Sequence, residues 1–206
     1  MSEMTMAAPL GASAAAGEQP TLQRWGARAA VAAPLVGVFA IAAGIPVFTA
    51  DMREVAGSAR WALATGGALA VLILLAVGLL ALHRMQEHAL SRFGHAGALL
   101  ALVGTILAAG GAWDSVFTVP YLAAVSPAVL DRATDGALLA GYVSSYLLFA
   151  AGWATFAVAT IRARVLARGP SIALLAGAVL AILPAPTAIR TLVLAVAVAL
   201  LATRRR

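Results

Sequence analysis

The feature that most constrains the fold is a long run without charge in the first half of the chain. Residues 61–82 read WALATGGALAVLILLAVGLLAL, with Arg60 before them and His83-Arg84 after them. As a helix with a rise of 1.5 Å per residue, the run is about 33 Å long, and a bilayer hydrocarbon core is about 30 Å thick. A soluble helix of this length would need a polar face, and this run has none. The run therefore predicts a transmembrane helix.

The composition extends this prediction to the whole chain. Hydrophobic residues make up 63% of the sequence and charged residues 11%, whereas ordinary soluble domains are about half apolar and a quarter charged. The chain has no cysteine, which excludes disulfides and cysteine-ligated metals. Its net charge of +6 comes from arginines near the ends of apolar runs. We interpret that charge as contact with the inner leaflet of a lipid bilayer, and we expect no nucleic-acid partner.

The apolar runs predict an all-α, polytopic transmembrane helical bundle with six spans. Residues 1–23 are expected to form a disordered cytoplasmic tail and residues 24–206 the membrane domain. The third span is expected to end at Trp113-Asp114, and residues 115–135 to form a connection at the membrane interface. The last two spans are short, so a tight hairpin that crosses the membrane and a re-entrant pair that does not cross it both remain open. The spans lie at about 29–49, 61–82, 94–112, 136–160, 170–184 and 187–203.

The arginines predict the orientation of the bundle. With six spans and a cytoplasmic N-terminus, ten arginines face the cytoplasm and Arg53, Arg60, Arg132 and Arg190 face outside. Cytoplasmic loops carry an excess of positive residues, so both termini are expected in the cytoplasm and the protein in a bacterial inner (plasma) membrane. The ten cytoplasmic arginines are Arg24, Arg28, Arg84, Arg92, Arg162, Arg164, Arg168, Arg204, Arg205 and Arg206.

An aromatic stripe follows the fourth predicted span. Its members are spaced by four, three, four and three residues and share one helix face. They form either the wall of a cavity for an apolar or ring-bearing ligand, or a face that packs against helices or lipid; such stripes are more often structural. On the first interpretation Tyr142, Tyr146 and Trp153 are candidate ligand-binding residues. The full stripe is Tyr142, Tyr146, Phe149, Trp153 and Phe156.

Two ionisable residues are candidates for a polar site. Asp114 follows Trp113 at the predicted outer end of the third span, and Arg190 lies one turn inside the sixth. An ionisable residue within a membrane span is a functional candidate by default. Asp114 and Arg190 either form an ion pair inside the bundle, or stay apart. In the second case Asp114 sits in interfacial water and Arg190 extends its side chain outward to the membrane surface.

The sequence assigns no catalytic residue, no cofactor and no metal. His83, His88 and His95 cluster near the cytoplasmic ends of spans two and three. Haem or metal binding would favour facing histidines inside the spans. No nucleophile elbow, phosphate-binding loop, zinc-protease motif or pair of carboxylates is present.

Small residues recur at four-residue spacing, which permits close helix contact in membranes. The repeats are Ala29/Ala33/Gly37, Ala62/Gly66/Ala70 and Ala173/Gly177/Ala181, with Gly141/Ser145 beside the aromatic stripe.

Two resemblances accompany these patterns. The first rests on a set of residues in the last third of the chain: Gly152-Trp153, Arg162, Arg164-Val165-Leu166, Arg168, 177–180 (GAVL) and Pro184. This set resembles uncharacterised multi-pass membrane proteins of high-GC bacteria, which implies a location and no activity. The six-span layout with Ala29-x-x-x-Ala33 on the first helix is similar to the substrate-binding subunits of energy-coupling-factor vitamin transporters. That resemblance implies a small-residue docking motif for a coupling subunit and outer loops that cover a ligand.

Three functions follow from these observations as hypotheses. The first is a non-enzymatic membrane component that works through helix–helix contacts, as a homo-oligomer or with a membrane protein partner. The second is a small-molecule transport or ligand-binding subunit, with the aromatic stripe as its wall and residues 113–135 as an outer lid. The third is a membrane enzyme acting on a lipid or quinone, for which only Asp114 and Arg190 offer polar groups.

Overall fold

The computed structural model describes residues 12–130, 136–183 and 185–203, and helices account for nearly all of them. No strand occurs in these ranges, so the all-α prediction is confirmed. A 3₁₀ turn, Glu87–Ala89, follows the third helix. In chain order the helices are α1 (Ala12–Phe48), α2 (Met52–Val55), α3 (Ala59–Gln86), α4 (Arg92–Val125), α5 (Pro127–Leu130), α6 (Gly136–Ala163), α7 (Arg168–Leu180) and α8 (Thr187–Thr203).

Four segments of the described chain are long and apolar enough to cross a membrane. They are Arg24–Val47, Ala59–Ala89, Arg92–Val125 and Gly136–Ala163. Helices α7 and α8 are apolar but have only 13 and 17 residues. At 1.5 Å per residue they are about 20 Å and 26 Å long, less than the thickness of a hydrocarbon core.

The six longer helices alternate in direction around the bundle. Helix α1 packs against α3 and α8, α4 packs against α3 and α6, and α7 packs against α6 and α8. Gly26 lies against Ala81 and Gly67 against Ala40, so α1 and α3 are antiparallel. Gly177 of α7 lies against the backbone of Leu194 in α8, so these two helices form a closely packed pair.

The two ends of the bundle differ in charge. The Cζ atom of Arg162 lies 6.0 Å from the centre of the Phe93 ring, which places the end of α6 beside the start of α4. We call this the arginine-rich end; it carries Arg24, Arg28, Arg84, Arg92, Arg162, Arg164 and Arg168. The opposite end, which we call the cleft end, holds Arg53, Arg60 and Arg190. Arg204, Arg205, Arg206 and Arg132 lie outside the described residues.

The contact between α4 and α6 depends on residues with little or no side chain. Gly97, Ala101, Gly104 and Ala108 are buried along one face of α4. A Cβ atom added to Gly104 would overlap the backbone of Phe149, and one added to Gly97 would lie 2.9 Å from the Phe156 nitrogen. Such spacing lets two helix backbones approach closely and increases their van der Waals contact.

The predicted small-residue repeats are used unevenly. Ala33 and Gly37 are buried on α1, and Gly177 lies in the contact between α7 and α8. By contrast, Ala62 is exposed, and a Cβ atom added to Gly66 or Gly141 would meet nothing within 4 Å. Among the described residues, these positions therefore take part in no close contact between helices. The buried faces of α3 carry other small residues, such as Gly67 against Ala40, together with larger side chains such as Leu72 and Leu75, which bury more apolar area.

Two predicted boundaries differ from the helix bounds of the structure. Helix α1 begins at Ala12, so residues 12–23 of the predicted tail are helical; they are rich in alanine, the strongest helix former. Residues 1–11 of the predicted tail lie outside the described residues. Helix α4 continues through Pro120 to Val125, so residues 115–125 are helical where we expected a connection. Val119 and Ala123 explain this extension, because they pack against a cluster of Val47, Ala56 and Trp61.

Candidate functional site

A cleft of about 340 Å³ opens at the cleft end of the bundle. Its walls come from the end of α1, the start of α3, the second half of α4, the start of α6 and the start of α8. Each element contributes at least one lining residue, which in that order are Val47, Trp61, Ser115, Tyr142 and Arg190. A volume of this size lies at the lower end of the range for small-molecule sites.

Arg190 is the cation of the cleft, and it points into the bundle. Only 7% of its surface is exposed. Its Nη2 donates a hydrogen bond of 2.9 Å to the hydroxyl of Tyr142 and a longer one of 3.4 Å to Oγ1 of Thr187. Its Cζ lies 3.8 Å from the centre of the Tyr146 ring, close enough for a cation–π interaction. The interpretation that Arg190 extends outward to the membrane surface is therefore wrong.

The hydrogen bonds of Arg190 leave a buried donor unused. Its Nε is buried and has no hydrogen-bond partner. The Tyr146 hydroxyl is bonded to Thr187 Oγ1 at 2.7 Å, so these groups are already engaged with each other. Tyrosine and threonine hydroxyls can accept a hydrogen bond from the guanidinium, but they cannot cancel its charge.

No acidic side chain lines the cleft in the part of the chain that the structure describes. Of the two alternatives for Asp114 and Arg190, the ion pair is absent there, since Arg190 bonds only to hydroxyls. Asp114 is half-buried on α4 and does not line the cleft. Asp51 is exposed beside the mouth, and its carboxylate accepts a hydrogen bond from the Arg53 backbone at 2.9 Å. Arg190 therefore carries a positive charge with no carboxylate against it among these residues.

Trp61 fixes the position of α3 against α4 at the cleft. Its Nε1 donates a hydrogen bond of 2.8 Å to the backbone carbonyl of Ser115. Ser58 caps α3 by accepting a hydrogen bond from the Trp61 nitrogen at 3.2 Å. The side chain of Trp61 is nearly buried, so it holds one wall of the cleft in place.

The aromatic stripe divides into two parts. Phe149, Trp153 and Phe156 are fully buried between helices, which supports the packing interpretation for them. Trp153 donates a hydrogen bond of 3.0 Å from Nε1 to Thr105 Oγ1, and it does not line the cleft. Tyr142 lines the cleft, and Tyr146 lies beneath the Arg190 guanidinium. The structure thus brings Tyr142, Tyr146 and Arg190 together and leaves Trp153 and Asp114 apart from them.

The histidines lie at the arginine-rich end, away from the cleft. His83 Nε2 and His95 Nδ1 are 3.0 Å apart, and their rings meet edge to face. The side chain of His88 is 97% exposed and lies 3.6 Å from Glu87. Among the described residues no three histidine or acidic side chains group closely enough to hold a metal.

Sequence reasoning missed three residues of the site. Thr187 precedes Arg190 by one helical turn, and this spacing could have indicated that the two side chains share a face. Trp61 was recognised only as the first residue of a span. Ser115 contributes a backbone carbonyl, and no sequence pattern marks that group.

Neither a family model, nor a curated protein, nor a solved structure matches the chain.

Proposed function

We propose that the chain is an integral protein of a bacterial inner membrane with six spans and both termini in the cytoplasm. The gathering of arginines at one end of the bundle supports this orientation. The turn between α7 and α8 supports six spans, because Ala185 and Pro186 line the same cleft as the start of α3. The hairpin thus extends as far as the start of α3 at that end.

Within that membrane setting, the protein acts as a non-enzymatic ligand-binding or transport subunit for a small molecule. The observation that carries this proposal is the cleft with a buried arginine on its wall. Ligand sites are mostly apolar concavities with a few placed polar groups. Trp61 and Tyr142 offer ring surfaces, while Thr187 and Arg190 offer polar groups.

A matched pair of bulky substitutions tests this function. Ala50 lines the mouth of the cleft, so Ala50→Trp should fill it, whereas Gly57→Trp lies in open space outside it. We expect purified protein to bind 2-naphthoate or 2-naphthamide saturably in equilibrium dialysis. Gly57→Trp should keep this binding and Ala50→Trp should lose it. Absence of saturable binding of both probes to the unmodified protein would refute the function.

A second candidate is a component that works through helix–helix contacts with a partner or a second copy. The observation that favours it is the uncovered stripe at Ala62 and Gly66, which no other helix of the described chain uses. Gly66→Cys should therefore form an intermolecular disulfide in oxidised native membranes. Ile172→Cys, on an exposed face of α7, serves as the control. Equal cross-linking of both variants, or of neither, would remove a second copy of the chain as the occupant of this stripe.

A further inference from the structure

We infer that the ligand of the cleft is an anion: a singly charged head group on a small apolar body. This inference rests on the proposed ligand-binding function and adds the charge of the ligand. The head group lies against Arg190, and the body lies between Trp61 and Tyr142.

The charge balance of the cleft carries the inference. Arg190 is the one cation among the lining residues, and no acidic side chain lines the cleft in the described ranges. An arginine keeps its charge at any physiological pH, so burial cannot be relieved by loss of a proton. A charge removed from water is costly unless another charge or several hydrogen bonds compensate it. An anion that entered the cleft would supply the missing compensation.

The contacts of the guanidinium agree with this assignment. Tyr146 covers one face of the group, and the Tyr142 hydroxyl accepts from Nη2. These contacts hold the guanidinium in a fixed orientation while Nε has no partner. A preorganised guanidinium forms charge-assisted hydrogen bonds with a carboxylate or a phosphate oxygen.

The rest of the cleft favours an apolar body. Val47, Ala64, Ala68 and Ala112 line it with small apolar side chains. A free carboxylic acid and an anionic lipid both carry a negatively charged oxygen on an apolar body, which is the combination that this surface would bind. The experiment below separates these two sources.

The first arm compares 2-naphthoate with 2-naphthamide, which have nearly the same shape and differ in charge. In lipid-free detergent we expect the carboxylate to bind about tenfold or more tightly than the amide, as for a charge-assisted hydrogen bond. Arg190→Gln should remove this preference. Arg190→Lys and Tyr142→Phe, which keep a positive charge in the cleft, should retain a preference for the carboxylate.

The second arm tests the lipid source. If an anionic lipid is the ligand, nanodiscs of phosphatidylglycerol should raise the Tm above that in phosphatidylcholine for the unmodified protein. The same change should be absent in Arg190→Gln, because ligand binding stabilises only the form that binds. A carboxylate preference or a lipid-dependent Tm that is lost in Arg190→Gln supports the inference. The arm that shows the effect identifies the ligand as a free carboxylic acid or an anionic lipid.

The results that overturn the inference differ from those that refute the function. Equal binding of 2-naphthoate and 2-naphthamide, together with no dependence on lipid charge, would show a ligand site without anion selectivity. If Arg190→Gln does not fold, an absent carboxylate preference in Arg190→Lys and Tyr142→Phe would overturn the inference equally. Loss of all binding in the unmodified protein would refute the ligand-binding function itself.

Discussion

Buried polar side chains in this bundle are few, and each has a distinct set of partners. Trp153 donates to Thr105, whose hydroxyl also donates to the Ala101 carbonyl at 2.6 Å. Gln86 donates to Thr160 at 3.0 Å across α3 and α6. Arg190 differs from these because its hydroxyl partners leave its charge without a counter-ion. The residues that stabilise the bundle and the residue suited to bind a ligand are therefore separable by substitution.

Replacement of Arg190 should stabilise the protein in the absence of ligand. Arg190→Met keeps the length of the side chain and removes the buried charge, so the free energy of unfolding should rise by about 1–3 kcal/mol. The gain reflects a site arranged for binding at some expense of stability. Thermal unfolding in lipid-free detergent measures it, with the exposed Arg60→Met as the control. A lower Tm for Arg190→Met alone would mean that the hydroxyl and ring contacts already compensate the charge.

Loss of the Thr105 hydroxyl should destabilise the core. Thr105→Val leaves the buried Nε1 hydrogen of Trp153 without an acceptor, so we expect a loss of about 1–2 kcal/mol in the free energy of unfolding. Thr105→Ser keeps the acceptor and should lose much less. Thr203→Val, at the exposed end of α8, is the matched control for the substitution itself. Equal losses for Thr105→Val and Thr105→Ser would contradict the role of the hydrogen bond.

At the scale of helices, packing follows from where small residues allow close approach. Gly104 and Gly152 lie where the backbones of α4 and α6 meet. By contrast, a Cβ atom added to Gly110 of α4 or Gly141 of α6 would meet nothing within 4 Å. Sequence spacing alone could not separate these two groups, because each glycine lies in an apolar, alanine-rich run. Only the three-dimensional arrangement shows which faces are paired.

A methyl group at Gly104 should therefore have a large effect and one at Gly110 a small one. Gly104→Ala places a Cβ atom against the Phe149 backbone, so α4 and α6 must separate, and we expect a loss of about 1–3 kcal/mol. Gly110→Ala should be neutral or stabilising by up to about 1 kcal/mol, since alanine favours a helix more than glycine. Unfolding of both variants by increasing denaturing detergent compares them directly. Similar midpoints for the two would contradict the close approach at Gly104.

The sequence predicted the helices better than it predicted their ends. Uncharged runs such as residues 61–82 indicate a helix because lipid-facing backbone must satisfy its own hydrogen bonds. The continuation of α4 to Val125 was missed because it depends on contacts with Trp61 and Val47, which are distant in sequence. At the site, Arg190 was recognisable as an ionisable residue within a span and Tyr142 as a member of a periodic aromatic stripe, whereas the burial of Arg190, the role of Thr187 and the Ser115 carbonyl depend on how the helices assemble.

At the scale of the whole molecule, charge at the two ends sets the orientation that we propose. Because the chain has no cysteine, a single introduced cysteine reports on one position only. Gly57 and Leu183 lie at the cleft end in accessible positions, and His88 is exposed at the arginine-rich end.

A membrane-impermeant maleimide should therefore label Gly57→Cys and Leu183→Cys in spheroplasts and should label His88→Cys only after the membrane is permeabilised. Labelling at Leu183→Cys is the sharpest part of this test, because a re-entrant hairpin would keep that turn from the outer surface. Labelling of His88→Cys in spheroplasts, with Gly57→Cys and Leu183→Cys labelled only after permeabilisation, would show that the bundle has the opposite orientation. Labelling of Gly57→Cys without Leu183→Cys would favour four full spans.

The length of α4 has a consequence for how the protein meets its surroundings. The bond between Trp61 and the Ser115 carbonyl puts Ser115 level with the start of α3, and residues 116–125 continue the same helix about 15 Å farther. A peptide epitope inserted after Ser126 would therefore be carried at the cleft end, beyond the level of Trp61. An antibody fragment bound there would enlarge the particle for electron microscopy and would mark, in any image, which side of the bilayer the cleft faces.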